Sequence, residues 1–157
     1  MAKKTMMHTG TIAQNRKARF NYTIVDEIEA GLILEGTEVK SLRLGKANIT
    51  DAHAGEKEGS LWLFNANIDE YEGANRFNHQ PRRPRQLLLK KKEVSKLLGK
   101  IQTKGMTIVP ISLYFNDKGI AKVKLGLVQG RKQYEKREVE KEREWKRKQS
   151  ALLKRDT

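Results

Sequence analysis

The chain of 157 residues has room for one ordinary domain and an appendage, but not for two full domains. It has no cysteine, which excludes disulfides and thiolate metal sites, and no window approaches the ~20 apolar residues that a membrane-crossing helix needs. Its 33 Lys and Arg against 19 Asp and Glu give a formal net charge of +14, which points to a polyanionic partner, nucleic acid before an anionic membrane surface.

Residues 1–19 carry Lys3, Lys4, Arg16, Lys17 and Arg19 and no acid, and read as a basic N-terminal arm. They hold no apolar run of the secretory kind, so a soluble, cytoplasmic protein is expected. From Phe20 the pattern alternates, Phe20, Tyr22 and Ile24 against Asn21, Thr23 and Val25. Asp26 and Glu27 then read as a turn, and residues 28–35 as the second strand of a hairpin. Residues 29–43 organise the rest: Ala30, Leu32 and Leu34 give a strand one clean face, and Gly36 lets the backbone turn. A short helix follows with Thr37 as N-cap, Glu38 at its positive end, Val39 and Leu42 on one face, and Gly45 as its stop. A helix this short cannot stand alone and must plug the end or side of a sheet.

A short strand is expected around residues 48–52 and a polar turn at 55–60. In residues 61–68 (LWLFNANI), Leu61 and Leu63 point one way and Trp62, Phe64, Ala66 and Ile68 the other, so this strand is expected to give the core its aromatic bulk. Residues 69–84 lack periodicity and hold two of the three prolines, as a long surface loop would. Residues 86–89 restore a strand. A helix follows in which Val94, Leu97, Leu98 and Ile101 form an apolar stripe, with Lys92, Lys96, Lys100 and Lys104 stacked on another face and Gly105 as the stop. Two further strands, 106–115 and 120–128, are joined by a turn at 116–119, with an edge or a bulge expected at Pro110. In the last strand Ala121, Val123, Leu125 and Leu127 share the buried face, and Lys122 and Lys124 share the other.

Beyond Gly130 the composition changes: residues 131–157 hold 11 Lys and Arg, 6 Asp and Glu, and few apolar groups. A helix polar nearly all round is marginal in water, so the tail reads as disordered when free and helical against a partner. The fold expected is mainly β, an OB-like antiparallel barrel of about six strands over residues 20–130, with two or three flanking helices and the basic tail 131–157. Residues 26–72 hold 11 acids against 4 bases, whereas 82–104 hold 9 bases against 1 acid. Such one-sided charge is the footprint of nucleic-acid binding.

Chemistry is not visible. His8, His53 and His79 lack metal spacing, no P-loop occurs, and the acids at 26, 27 and 29 and at 69, 70 and 72 read as solvated charge. No enzyme, metal or cofactor is expected. A nuclease on a small barrel would need a metal and paired carboxylates. RNA is favoured over DNA, since no helix-turn-helix pattern appears and barrels bind by shape, stacking and backbone contact. Lys122, Lys124, the lysine ladder and Arg82, Arg83 and Arg85 would neutralise phosphates, while specificity would need exposed groups such as Tyr22, Tyr71, Phe77 or Glu29. The residues alone equally permit a general OB-fold RNA chaperone or a ribosomal protein.

Eight ordered motifs carry a resemblance over nearly the whole chain: residues 12–19 (IAQNRKAR), 29–32 (EAGL), 36–43 (GTEVKSLR), 45–49 (GKANI), 85–89 (RQLLL), 122–126 (KVKLG), 130–133 (GRKQ) and 141–145 (KEREW). With these the chain resembles the SmpB family, small protein B, which partners tmRNA in bacterial trans-translation. The resemblance implies an OB-like barrel that holds the tRNA-like domain of tmRNA. It also implies a tail that enters the empty mRNA channel of a stalled small ribosomal subunit, against its RNA. Elongation factor Tu would take part indirectly, through aminoacylated tmRNA. By carry-over, Glu29, Leu88 and Lys122 fall on tmRNA-binding positions, with Asn15, Lys124, Arg131 and Lys132 beside them; a leucine within a strand is otherwise a core residue. Tyr134, Glu135, Lys136 and Arg137 fall where the family places its decoding-centre contacts. Some members carry His and Asp at the first two of these positions. Trp145, Leu152 and Leu153 would anchor the tail helix along the channel.

Overall fold

The computed structural model describes residues 10–74, 77–130 and 133–155. The described residues form, in order, β1 (Thr11–Gln14), α1 (Arg16–Asn21), β2 (Tyr22–Leu32), α2 (Gly36–Arg43), β3 (Ala47–Asn48), β4 (His53–Lys57), β5 (Ser60–Phe64), β6 (Asn67–Ile68), β7 (Arg85–Leu88), α3 (Lys91–Lys104), β8 (Thr107–Phe115), β9 (Ala121–Gly130) and α4 (Gln133–Arg155). Six strands close a ring in the order β8, β4, β5, β7, β2, β9 and back to β8, with antiparallel pairing throughout. This is the OB-like barrel that the alternation predicts, and its closure removes the sheet edges.

β8 pairs with β9 along its whole length but changes neighbours on its other side. Ala54 of β4 lies opposite Ile108, and Gln14 of β1 lies opposite Ser112. The handover is at Pro110, where the register slips between Pro110 and Ser112. Proline has no N–H to donate, so the expected bulge falls where the ladder would be broken in any case.

Leu61, Leu63, Leu87, Ile108, Leu113, Val123, Leu125 and Leu127 point inward from the strands, Leu42 enters the same core from α2 and Leu97 from α3. The stripe of α3 docks as its spacing predicts, with Val94, Leu98 and Ile101 packed beside Leu97. Gly45 and Gly105, which follow α2 and α3, take φ of 73° and 62°, a left-handed conformation in which a Cβ would be strained.

Several expectations need correction. Where a hairpin is expected across residues 20–35, residues 22–32 form one continuous strand. A register slip between Ile24 and Asp26 absorbs one residue, and Asp26 and Glu27 lie opposite Leu127 and Gly126 of β9 rather than turning. The gain is a ladder with β9 that continues on both sides of the slip; Phe20 is left in α1. Trp62 and Phe64 are on the outside of the barrel: Leu61 and Leu63 are the buried side of β5, and the left-handed Asn65 (φ 63°) then flips the chain so that Ala66 and Ile68 turn inward. The short strand expected at 48–52 is confined to Ala47–Asn48, which pairs with β6, because Asn48 Oδ1 accepts the Thr50 N–H (2.8 Å) and turns the chain. The N-cap of α2 is Glu35 rather than Thr37, with the Glu35 N–H donating to Glu38 Oε1 (2.8 Å). Thr37 instead bonds the loop that returns over α2. His79 of that loop is buried, with Nε2 2.8 Å from the Ile68 carbonyl and Nδ1 2.9 Å from the Thr37 hydroxyl. A carbonyl only accepts, so Nε2 donates to Ile68. Among the described residues no helix is long and apolar enough to cross a membrane.

Candidate nucleic-acid interface

The outer face of β9 follows from its alternation. Val123 and Leu125 are fully buried, and Lys122 and Lys124, alternating with them, stand outward. The registers then fix their neighbours. Lys122 lies between Gly31 of β2 and Tyr114 of β8, and Lys124 lies between Glu29 and Ser112. Beyond Gly31 is Leu88 of β7, and beyond Tyr114 and Ser112 are Thr11 and Gln14 of β1. Two rows therefore cross the barrel: Leu88, Gly31, Lys122, Tyr114, Thr11, and beside it Glu29, Lys124, Ser112, Gln14.

Gly31 matters to the first row because it is empty. A Cβ there would lie 3.3 Å from Leu88 Cβ and 3.7 Å from Lys122 Nζ, so these two side chains close over the glycine from opposite sides. Leu88 is 51% exposed, which decides against a core role: an apolar group is held on the surface beside an ammonium. In the second row, the exposed Glu29 accepts a hydrogen bond at Oε2 from the Tyr114 hydroxyl. Burial first, then the bond to Glu29 and its charge, push the Tyr114 phenol above its ordinary range, so it stays a donor at any working pH. The Lys124 ammonium is turned to Glu27 Oε2, 3.9 Å away.

Asn15 is buried. Its Oδ1 accepts the Ala18 N–H (3.2 Å) and caps α1, while Nδ2 donates to the Pro110 carbonyl (3.1 Å) and the Ile49 carbonyl (3.4 Å). Its polar atoms are thus occupied in fixing α1 to the β8 bulge. The same junction opens a groove of about 490 Å³ whose lining includes Gln14, Arg16, Arg19, Ser112, Lys124 and Arg143, the last contributed by α4. Four cations around one groove, continuous with the second row, form an electropositive channel suited to a phosphate backbone. Arg143 also stands over the Phe20 ring at 5.4 Å, which ties α4 to α1.

Tyr134, Glu135, Lys136 and Arg137 fall in the first turns of α4. Trp145, Leu152 and Leu153 lie further along it, all well exposed, and their spacing of seven and eight residues places them on one side. Arg131 and Lys132 lie outside the described residues. Phe77 is 85% exposed at the tip of the long loop, whereas Tyr71 is covered by the Lys40 ammonium at 5.5 Å from its ring. Lys92, Lys96 and Lys104 of α3 are exposed, with Lys96 Nζ 3.9 Å from Asp26 Oδ2.

One expected phosphate contact is overturned. Arg85 is completely buried, donating to Glu38 Oε2, to the Ala66 carbonyl (2.8 Å) and to the Pro81 carbonyl (2.9 Å). Arg83 also donates to Glu38, through Nε at 3.1 Å and through Nη2, and Arg82 donates to Asn65 Oδ1 at 2.9 Å. Arg83 and Arg85 fasten this stretch to α2, because Glu38 needs guanidinium partners to be buried ionised, while Arg82 ties it to Asn65. Sequence reasoning missed Tyr114, Ser112 and Gly31. Alternation in residues 107–115 could have put Ser112 and Tyr114 on one face, but nothing local says which strand they border.

A family model described as SmpB protein matches residues 12–155. An SsrA-binding protein of Afipia carboxidovorans is 53% identical over 153 residues, 98% of this chain and 98% of the relative. One from Wolbachia pipientis subsp. Culex pipiens is 58% identical over 143 residues, 91% of this chain and 96% of the relative. A solved structure described as "tmRNA-SmpB: a journey to the center of the bacterial ribosome" holds a chain that superposes with a TM-score of 0.64 at 50% identity, covering 76% of this chain and 84% of that one. Kinship that runs through both barrel and tail, on a barrel with this basic outer face, leads to one conclusion: the chain belongs to the SmpB family.

Proposed function

We propose that this chain binds the tRNA-like domain of tmRNA and delivers it to stalled ribosomes for trans-translation. The observation that carries the reading is its likeness, over nearly its whole length, to SsrA-binding proteins and to a chain from a tmRNA–SmpB structure. Its action is binding rather than catalysis, at the ribosome and hence in the cytoplasm.

The finer division of labour rests on chemistry. The barrel, residues 20–130, offers the RNA Lys122 and Lys124 for phosphates, Leu88 as an apolar contact and Glu29 as an acceptor for a donor edge. Asn15 acts at one remove, by holding α1 in place, and Arg131 and Lys132 extend the basic surface toward the tail. The arm, residues 1–19, adds charge. The tail, residues 131–157, enters an mRNA channel only where no mRNA excludes it. There Tyr134, Glu135, Lys136 and Arg137 meet the decoding centre, and Trp145, Leu152 and Leu153 find apolar contacts along the channel wall of the small subunit. Elongation factor Tu joins indirectly, on the aminoacylated tmRNA.

Binding to the tRNA-like domain at moderate salt, with an ordinary tRNA and an unrelated hairpin as competitors, tests the reading. Tight binding that neither competitor displaces, and that Glu29→Ala weakens, is expected. Equal binding to all three RNAs, indifferent to that substitution, would mean a generic basic barrel instead.

A further inference from the structure

The ladders set Tyr114 beside Lys122 and Glu29 beside Lys124, so Tyr114 and Glu29 are diagonal neighbours across β9. Two strand spacings of ~4.8 Å and a stagger of two residues at ~3.4 Å each put their Cα atoms roughly 12 Å apart, a span that a tyrosine and a glutamate reaching toward each other can close. The phenol crosses β9 between the two lysines and donates its hydroxyl hydrogen to Glu29 Oε2. Lys124 meanwhile turns its ammonium to Glu27 at 3.9 Å. An exposed glutamate beside two lysines would ordinarily exchange among rotamers and pair with whichever ammonium came near. Here a neutral donor holds it.

We infer that Tyr114 is a positioning residue of the RNA-binding surface, acting through Glu29; this rests on the function proposed above. A carboxylate only accepts hydrogen bonds. With Oε2 taken by Tyr114, Oε1 is presented in one orientation to an RNA donor, the amino or imino edge of a base. Phosphates offer no such donor, so the Tyr114–Glu29 pair selects among RNAs, whereas Lys122 and Lys124 supply affinity for any of them. Because the restraining partner is uncharged, Glu29 keeps its full negative charge, while the ion pair of Lys124 runs to Glu27. Fixing the carboxylate beforehand lowers the ordering cost of the bound state.

The test uses the full chain and four proteins: wild type, Tyr114→Phe, which removes only the oxygen, Glu29→Gln, and the double variant. Each is titrated with the tRNA-like domain and with an unrelated hairpin across a range of salt, and its thermal midpoint is measured. Tyr114→Phe is expected to lose about two- to tenfold in affinity for the tRNA-like domain, the ordering cost of one side chain no longer held beforehand. Its hairpin affinity, salt slope and thermal midpoint should match wild type, and the double variant should bind no worse than Glu29→Gln. If Tyr114→Phe binds like wild type while Glu29→Gln is weakened, the role of Tyr114 is wrong and the proposed function stands. Penalties that multiply in the double variant, or a loss shared equally by both RNAs, would also overturn the role. Were wild type to show no preference for the tRNA-like domain, the proposed function and this role would fall together.

Discussion

Glu38 and Arg85 are both completely buried, and neither charge could sit there without the other. Burial alone would raise the Glu38 pKa. The hydrogen bonds from Arg83, from the Glu35 N–H and from Arg85, with the charge of Arg85, outweigh it and hold the carboxyl below its ordinary 4.5. Burial pulls the Arg85 guanidinium down from its ordinary value, but from so high a start that it remains charged. Removing one partner strands the other, so Glu38→Ala should cost about 3–5 kcal/mol in urea unfolding at neutral pH. A group whose folded pKa is depressed contributes stability above its unfolded value and loses it as pH falls through the folded one. The gap between wild type and Glu38→Ala should therefore be full above pH 4.5 and close progressively in more acid solution. A variant within 1 kcal/mol of wild type at neutral pH, by the same measurement, would show that the pair contributes little.

Among the elements, β8 and α4 are opposites. β8 borders β9, β4 and β1 and is buried along most of its length. α4 is longer, yet every side chain from residue 140 to 153 is exposed. Its Glu142–Lys146 pair (3.7 Å, exposed) contributes only about 0.3–0.5 kcal/mol, and among its described side chains Arg143 stands over Phe20 of α1. Few buried contacts mean low-energy opening. Amide hydrogen exchange on the free protein should find α4 exchanging orders of magnitude faster than the centres of β8 and β9. Protection of α4 comparable to those strands would show that the helix is held by more than its present contacts.

At the scale of the whole molecule, the net charge of +14 gives general attraction to RNA, and the two rows on the barrel are where discrimination can reside. If barrel and tail divide the work as proposed, a chain ending at Gly130 keeps its thermal midpoint and its preference for the tRNA-like domain. It loses Arg143 from the groove and, with it, Arg131 and Lys132, so the salt slope should fall by up to ~0.9, the value for a DNA duplex, for each phosphate contact these make. Tagging on stalled ribosomes should be abolished. Loss of tmRNA binding in the truncated chain would refute the division.

How much was legible beforehand varied with the range of the interaction. Period-two and period-3.6 patterns in the sequence by itself determined the strands from Thr107 to Gly130, the stripe of α3, the outward Lys122 and Lys124 and the barrel class, because burial acts on each segment's own periodicity. The eight motifs also marked the family. Only the tertiary structure decided that residues 22–32 run straight through a bulge, that Trp62 and Phe64 face out, and that Arg85 is a buried partner of Glu38 rather than a phosphate ligand. It alone brought Leu88, Glu29, Lys122 and Tyr114 to one face. The physical reason is that strand register joins residues as many as 108 positions apart, as Tyr22 and Gly130 are, and no local pattern records which strand will lie beside which.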